Sequence, residues 1–460
     1  MQNRRSFLAT VVAGAFSVRV ARGGIASDKA DSASLVSLSG TARQVGERLG
    51  ALNAADLRAH VAEMLAGWRK RGLTETEMID RSQPYRRFAE KFAPHWLEES
   101  AACAAAAEVP VDHFVGYLAG KYRDLFFAED CTSFAAAGEA TADGATIFHK
   151  NRDNVSRPQV AYHKHIVDAE GVGGFFAVGD TSDLGVMMMV NERGLAGSAD
   201  VGGLSETRPK GRGVMNPDIL RLVAERAERC EEALAIVQQM ITDGWYAGGS
   251  KVGTHWLFAD RFGTILRIAQ NSVEEKHWFH RDGLVFLARG ETPAANQMRA
   301  ASGKLSIRDF HEAAKSPDIC FGSSISGLTV RIDPRKALAG GTVWAALPAW
   351  SPSLPLYAAA RAVARPLADG ACFKAGARLL ALRDSTSSTD FGKRLVFGDD
   401  FLARRREVQS QLHEDAAGIE QRLRAMDAAG QQEQAADLAA QASVAAWQRY
   451  QRWNAEMVPQ

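Results

Sequence analysis

The sequence predicts an α+β fold with largely antiparallel sheets, on three observations made along its 460 residues. From about Thr41 to Ala128, apolar residues recur at three- and four-residue spacing, as they do in amphipathic helices. Beginning at Cys131, short apolar runs separated by Gly, Asp and Asn predict a series of strands. The last sixty residues return to helical spacing. Because helices and strands are segregated along the chain, a doubly wound parallel sheet is disfavoured.

One helix is predicted within the strand-rich region. It starts near Asn216 or Asp218, both of which are favourable at a helix N-terminus, and ends before Gly244. The segment is predicted as a single element because its apolar spacing continues throughout.

Composition excludes several classes of function. Charged residues make up 24% of the chain and hydrophobic residues 46%, which is ordinary for a globular protein. The formal net charge is +1, so no overall field favours nucleic acid or an anionic membrane surface. The five cysteines form no CxxC pair, and no GxGxxG or P-loop glycine pattern follows a predicted strand. We therefore expect no metal, no cofactor, no nucleic-acid partner and no membrane span in the mature form.

The N-terminus has the pattern of an export signal. It begins with Arg4-Arg5, continues with an apolar stretch from Phe7, and reaches small residues at Ala26. Arg4-Arg5 followed by Ser-Phe-Leu is similar to a twin-arginine signal, the type that carries folded proteins. A plain secretory signal and a chance basic start are the alternatives. We expect cleavage after Ala26 and an exported, periplasmic protein.

A hairpin is predicted where the strands begin, in the segment CTSFAAAGEATADGATIFHKNRD. Two strand candidates lie on either side of a glycine-containing turn. If the turn is centred on Thr141, Cys131 lies opposite Asn151, with Lys150 and Asp153 close by. The spacing thus predicts a thiol, an amide, an ammonium group and a carboxylate at one end of a hairpin.

Cys131 has two interpretations, an inert buried thiol or a nucleophile. A reactive thiolate needs a positive charge or a base, and Lys150 would supply the charge. No histidine lies in a recognised cysteine-protease signature. If the chain is cut between Asp130 and Cys131, the new α-amino group, with a pKa of about 7.7–8.0, can act as the base. Attack by Cys131 on the carbonyl of Asp130 would make that cut.

This hairpin resembles the start of the N-terminal-nucleophile (Ntn) hydrolases of the linear amide C–N hydrolase group. It is most similar to the isopenicillin-N acyltransferase-like branch, also called acyl-CoA:6-aminopenicillanic acid acyltransferase-like. The choloylglycine hydrolases, penicillin V acylases and acid ceramidase are more distant relatives. The shared pattern is a Cys-Thr start, a glycine-containing turn and then Arg-Asn-x-Asp. Segments such as VNERGLAGSADV and SISGLTVRID extend the likeness over roughly residues 40 to 400.

The resemblance implies roles for the residues that match the motif. Cys131 matches the nucleophile, Asp153 the carboxylate that holds the new amino terminus, and Asn151 the motif asparagine. Lys150 stands where the family usually has arginine, so the charge is kept but the planar fork is lost. Arg152 is the alternative cation if the strand register slips, although alternation would then direct it to the other face.

The resemblance leaves the oxyanion donors open. The family's asparagine normally follows a strand like DGLVFLARGET, where this chain has Ala288-Arg289, and Asn296 lies several residues later. Asp200 lies near a polar position that the bile-salt branch fills with asparagine. Backbone N–H groups are the alternative to both Asn296 and Asp200.

The resemblance also implies a domain organisation and a four-layer αββα sandwich. Residues 1–26 would be the signal peptide, 27–130 the helical pro-segment or alpha chain, 131–400 the Ntn catalytic domain and 401–460 a C-terminal helical extension.

The implied function is a self-processing amidohydrolase or acyltransferase that cleaves small linear amides through a Cys131 thioester. Its alpha and beta chains would stay associated after the cut. Export favours water over an acyl acceptor. The alternative is an exported binding or scaffold protein that keeps the fold but has lost catalysis, because Lys150 and the missing asparagine depart from the family's pattern.

Overall fold

The computed structural model describes residues 34–120, 131–154, 157–205, 213–247, 252–383 and 398–457. The predicted signal peptide and Asp130 lie outside the described residues. No helix in the described ranges is long and apolar enough to cross a membrane.

Two short strands and six helices are described before Cys131. They are β1 (Leu35–Val36), β2 (Leu38–Gly40), α1 (Ala42–Leu52), α2 (Ala54–Lys70), α3 (Glu75–Asp80), α4 (Gln83–Phe92), α5 (His95–Ala106) and α6 (Val111–Gly120). Helix α1 begins at a capping box in which Thr41 and Gln44 satisfy each other's backbone N–H groups. The helical spacing seen in the sequence is therefore realised up to Gly120.

Of the fourteen strands that follow, the first thirteen belong to two large sheets, and the last pairs with β1 in a separate two-stranded sheet. They are β3 (Thr132–Gly138), β4 (Gly144–Asp153), β5 (Gln159–Ile166), β6 (Phe175–Asp180), β7 (Met188–Asn191), β8 (Leu195–Ser205), β9 (Val252–Asp260), β10 (Ile265–Gln270), β11 (Glu275–His280), β12 (Gly283–Phe286), β13 (Ser324–Ile332), β14 (Thr342–Ala346), β15 (Leu354–Tyr357) and β16 (Val363–Ala364). The first sheet has the order β11-β10-β9-β8-β7-β6-β5-β2 and the second the order β12-β3-β4-β13-β14-β15. All pairings in these two sheets are antiparallel except β2 with β5.

The remaining helices are α7 (Asn216–Arg226), α8 (Cys230–Thr242), α9 (Pro293–Ala300), α10 (Ile307–Ala314), α11 (Arg365–Ala368), α12 (Ala371–Arg383), α13 (Asp399–Ala428) and α14 (Gln432–Met457). The last two are the amphipathic helices predicted at the end of the chain. The single helix predicted from Asn216 is instead two helices, broken after Arg226. The break is tertiary in origin, because Asp260 on β9 accepts the backbone N–H of Cys230 and so caps α8 from outside.

The two sheets pack face to face and helices cover both outer faces, so the predicted four-layer αββα sandwich is confirmed. Alternate residues of facing strands, such as Phe148 on β4 and Leu257 on β9, share the core between the sheets. On the outer face of the eight-stranded sheet, Phe258 packs in one core with Trp96 of α5. On the outer face of the six-stranded sheet, Phe134 packs against Phe310 of α10.

The predicted register of the β3–β4 hairpin is wrong by one residue. Thr132, and not Cys131, pairs with Asn151. The register shifts between Ala136 and Gly138 because β4 has an extra residue opposite this part of β3, and every pair towards Cys131 is displaced by one. The shift changes which side chains of β4 lie beside the thiol.

Candidate active site

Cys131 lies immediately before β3, which is between the edge strand β12 and β4 in the six-stranded sheet. Its side chain is buried, and its thiol lies 3.9 Å from the backbone oxygen of Asp153, close enough for a weak S–H···O contact. Because Thr132 pairs with Asn151, the next residue of β4 at the level of Cys131 is Arg152. The thiol is therefore held between the ends of the two hairpin strands.

Lys150 is the centre of a buried polar group between the sheets. Its Nζ lies 2.6 Å from Oδ1 of Asp200 on β8 and donates to the backbone oxygens of Ala199 and Met187. The other oxygen of Asp200 accepts a hydrogen bond of 2.6 Å from Ser133. Alternation places Ser133 on the same face of β3 as Cys131. The structure thus brings Lys150 and Asp200 together on the face of the sheet that carries the thiol.

This pairing changes what Lys150 and Asp200 can do. The positive charge of Lys150 is balanced by the carboxylate of Asp200, so it is a less effective stabiliser of a thiolate than an isolated cation. A carboxylate paired with a lysine accepts hydrogen bonds and donates none, which disfavours Asp200 as the oxyanion donor. Its oxyanion role stays a prediction.

Arg152 forms a second buried ion pair on the same face of β4. Its Nη1 lies 2.7 Å from Oδ1 of Asp180 on β6 and 3.1 Å from Oε1 of Gln159. Although burial raises the pKa of the Asp180 carboxyl, the Arg152 guanidinium outweighs that effect and holds this pKa well below its ordinary value. Since Arg152 and Lys150 are two residues apart on one strand, alternation keeps them on the same face.

Asp153 is held by two side chains from outside the hairpin. Ser324 donates a hydrogen bond to Oδ1 of Asp153, and Arg289 donates to Oδ2 at 3.4 Å. The guanidinium of Arg289 also lies over the ring of Phe321, 4.0 Å from its centroid. Sequence reasoning did not assign Arg289 a function. The signal was present, since Arg289 occupies the segment in which an asparagine donor was expected.

Asn151 lies on the opposite face of β4 from Lys150. Its amide nitrogen donates to the backbone oxygen of Ala314 on α10, and its oxygen accepts from Nε2 of His149. Burial lowers the pKa of His149 to about 3, so this ring stays neutral at ordinary pH. The structure therefore places Asn151 in the packing of α10 against the sheet rather than on the face that carries Lys150.

Asn296 is the sequence-predicted residue that the structure does not bring into this cluster. It lies on the exposed side of α9, and its side-chain oxygen accepts from Arg299 one turn later. An exposed amide committed to its own helix is a poor donor for a buried reaction centre. The sequence places Asn296 only a few residues after the predicted strand. In the structure those residues begin α9, which carries Asn296 to the surface.

Residues 140–277 match the family model described as "Acyl-coenzyme A:6-aminopenicillanic acid acyl-transferase". The match covers less than half of the chain and shows what this segment is similar to. The predicted resemblance is confirmed, and with it the enzyme class, an acyltransferase or amide hydrolase. The matched segment includes Lys150, Arg152, Asp153 and Asp200 but begins nine residues after Cys131. The role of Cys131 therefore stays a prediction.

Solved structures similar to this chain include three enzymes. A penicillin V acylase from Agrobacterium tumefaciens is 11% identical with a TM-score of 0.35, over 50% of this chain and 86% of that one. A Caenorhabditis elegans ortholog of N-acylethanolamine-hydrolyzing acid amidase is 12% identical with a TM-score of 0.34, over 44% and 93%. A conjugated bile acid hydrolase from Clostridium perfringens is 12% identical with a TM-score of 0.33, over 47% and 89%. No curated protein matches the chain by sequence.

Proposed function

We propose that this protein is a self-processing cysteine Ntn enzyme that cleaves linear amide C–N bonds through a thioester on Cys131. One observation supports it above the others. The buried thiol of Cys131 lies against Asp153 at the end of the central hairpin, where the polar side chains of β4 and β8 converge. An inert core thiol is typically surrounded by apolar side chains, whereas this one lies on the face of the hairpin that carries two buried ion pairs.

The first step is the cut that exposes Cys131. The thiol attacks the carbonyl carbon of Asp130, the C–N bond to Cys131 breaks, and the acyl group moves to sulphur as the nitrogen takes up a proton. Water then hydrolyses this thioester and releases the carboxylate of Asp130 and the free thiol. The products are two chains, and the second begins with the α-amino group of Cys131.

The second step is turnover of a substrate amide. The α-amino group takes the thiol proton, sulphur attacks the amide carbon, and the amine leaves with a proton returned from the α-ammonium group. Water hydrolyses the resulting thioester. Asp153 is proposed to orient the amine, with Arg289 and Ser324 fixing the carboxylate. Backbone N–H groups and Arg289 are the candidate donors to the oxyanion.

The two chains are proposed to remain associated after cleavage. Glu99 of α5 lies 2.7 Å from Nζ of Lys164 on β5 and also pairs with Arg221 of α7. Trp96 of α5 donates to Glu225 of α7. All of these side chains are buried, so separating the helices would expose unpaired charges and a tryptophan.

Export to the periplasm and a small amide substrate are part of the same proposal. The N-terminal pattern supports export, and water is then the expected acyl acceptor. The proposed site lies between sheets in a family of acyl transfer enzymes.

Intact-mass measurement and N-terminal sequencing test the proposal. Wild-type protein should contain two chains, the larger starting at Cys131, and should release amine from a panel of N-acyl amino acids, acyl-homoserine lactones, penicillins and peptides. Cys131→Ala should remain one chain and be inactive. Cys372→Ala is the matched control, because this buried thiol lies in α12 and should be dispensable.

Two outcomes would contradict the proposal. Cleavage before position 131 in Cys131→Ala would exclude self-processing. An uncut wild-type chain without hydrolytic activity would favour the catalytically inactive scaffold.

A further inference from the structure

We propose that Arg267, His255 and Trp278 form a binding site for a carboxylate of the substrate, at the open edge between the two sheets. The inference deepens the proposed function, on which it rests, by naming a specificity-determining site that the reaction chemistry itself does not require.

The strand register places these residues on one face. Asp200 on β8 pairs with His255 on β9. Two residues further along β9, Leu257 pairs with Arg267 on β10, and Arg267 in turn pairs with Trp278 on β11. Asp200 faces the six-stranded sheet, because it accepts a hydrogen bond from Ser133. Since facing partners in an antiparallel sheet share a side, His255, Arg267 and Trp278 continue the same face outward across β9, β10 and β11.

The distance suits a small substrate. Neighbouring strands are about 4.8 Å apart, so β10 lies about 10 Å from β8, where Asp200 contacts the strand of Cys131. That span equals two or three residues of extended chain. A group bound at Arg267 would therefore be the far end of the acyl or the amine half of the substrate.

The charge on this surface is positive and available. Within the described ranges, Arg267 makes no ion pair with a carboxylate, and its buried Nε has no hydrogen-bond partner. The nearest acid on the same face, Asp200, is already paired with Lys150. Burial and the charge of Arg267 lower the pKa of His255, and they do the same for His280. Both rings are therefore neutral near pH 7, so the positive charge that an anion would meet comes from Arg267 and from Lys276, which shares this face two residues before Trp278.

The side chains of this face are partly exposed to solvent. Trp278 is 45% exposed on the edge strand β11, and the guanidinium of Arg267 lies 5.5 Å from the centroid of its ring. Such a pair can hold a carboxylate while the indole covers apolar substrate atoms. On β8, Gly202 has a positive φ of 143°, and a Cβ there would lie 3.0 Å from Nδ1 of His255. The glycine thus allows the His255 ring to pack closely against β8.

The opposite wall is apolar. Leu287 follows β12 and donates its backbone N–H to the oxygen of Ser133, so it lies next to the strand of Cys131. Val285 and Leu287 are in the core between the sheets, each with 8% of its surface exposed. A substrate extending from the thiol to Arg267 would pass along these side chains, which favours an aliphatic or aromatic body with a terminal carboxylate.

Binding of two isomeric sulfonamides to wild-type protein tests the proposal without requiring turnover, because the sulfonyl group replaces the amide carbonyl and keeps its direction. In N-(heptylsulfonyl)glycine the carboxylate is in the amine half, and in 3-(hexylsulfamoyl)propanoic acid it is in the acyl half. The neutral carboxamides of both are the matched ligands. We expect Arg267→Gln to weaken binding of one of the two acids about ten- to hundredfold and to leave the carboxamides unchanged. The acid that responds identifies the half that bears the carboxylate.

Control variants separate this result from a failure of folding or of cysteine chemistry. Arg299→Gln, on exposed α9, should bind all four ligands as wild type does, and Arg267→Lys should recover part of the lost affinity. Cleavage before Cys131 should be unaffected in Arg267→Gln. If neither sulfonamide acid binds, or if Arg267→Gln weakens acids and carboxamides alike, the carboxylate site is refuted. An uncut wild-type chain that still discriminates through Arg267 would refute only the self-processing reaction.

Discussion

The ammonium of Lys150 lies 2.6 Å from the carboxylate of Asp200, and both side chains are buried between the two sheets. A buried charge is costly when it has no partner, so each member of this pair requires the other. Ser133, on the strand that follows Cys131, donates a hydrogen bond to Asp200 of this pair. Its integrity therefore affects both the stability of the fold and the surroundings of the thiol.

Removing one member of this pair should destabilise the protein more than removing both. Lys150→Met leaves Asp200 buried and unpaired, and we expect it to lower the free energy of unfolding by about 3–5 kcal/mol. Lys150→Met combined with Asp200→Leu should recover much of that loss. Urea unfolding of the two single variants and the double variant measures the coupling. Additive effects would show that the two charges do not stabilise each other.

Asp153 should matter for turnover more than for substrate binding. Asp153→Asn keeps the size of the side chain but removes the charge that Arg289 and Ser324 hold in place. A misplaced reacting amine can cost about 100-fold in rate, so kcat of the processed variant should fall by that order while KM changes little. The acidic limb of the kcat profile between pH 5 and 9 should also move to lower pH, because the α-ammonium group loses an anionic neighbour.

Asp143→Asn is the matched control for this experiment. Asp143 lies in the turn of the same hairpin and pairs with Arg331 on its partially exposed surface. It should keep wild-type kinetics. Normal kcat and an unmoved acidic limb in Asp153→Asn would remove Asp153 from the reaction.

Glu99 should determine whether the helical segment stays bound after cleavage. Glu99→Gln leaves Lys164 and Arg221 buried with one anion fewer, which should lower the free energy of unfolding by about 3–5 kcal/mol. Glu98→Gln, the adjacent exposed position on α5, should be neutral. Size-exclusion chromatography of the cut protein in increasing urea would show whether the two chains separate earlier. Equal behaviour of the two variants would contradict a role for the buried network.

Two stacked histidines, one on α10 and one on the C-terminal helix α13, should make the protein less stable in acid. Nδ1 of His311 on α10 lies 2.7 Å from Nε2 of His413 on α13, and Lys315 is a further nearby cation that disfavours protonation of both. Burial lowers the pKa of His413 to about 4 and that of His311 well below its ordinary value. Between pH 6.5 and about 4 the unfolded chain therefore binds more protons than the folded one, so stability is lost as pH falls.

The double variant His311→Phe, His413→Leu removes this difference in proton binding. Between pH 6.5 and 4 its free energy of unfolding should fall less than that of wild type. The lowered pKa of His413 alone predicts a difference of roughly 3 kcal/mol between the two proteins. His277→Gln, at an exposed position on β11, should follow the wild-type curve. Parallel curves for wild type and the double variant would show that the pair does not control acid stability.

Local patterns in the sequence determined the segregation of helices and strands. The helical spacing before Cys131 corresponds to α1 to α6 in the structure. The two strand candidates around a glycine-containing turn correspond to the β3–β4 hairpin. The Cys-Thr to Asn-x-Asp spacing sufficed for the family resemblance that residues 140–277 confirm. These features depend on neighbours in the chain, and periodicity and turn residues encode such neighbours directly.

Tertiary structure alone decided which side chains meet. A bulge moved the register so that Arg152, and not Asn151, lies at the level of Cys131. Lys150 pairs with a carboxylate on β8, and Asn296 lies on the exposed side of α9. Such pairings join residues far apart in sequence, and they are fixed when two sheets pack and every buried charge must find a partner. No local pattern records that requirement, because it arises only when the layers come together.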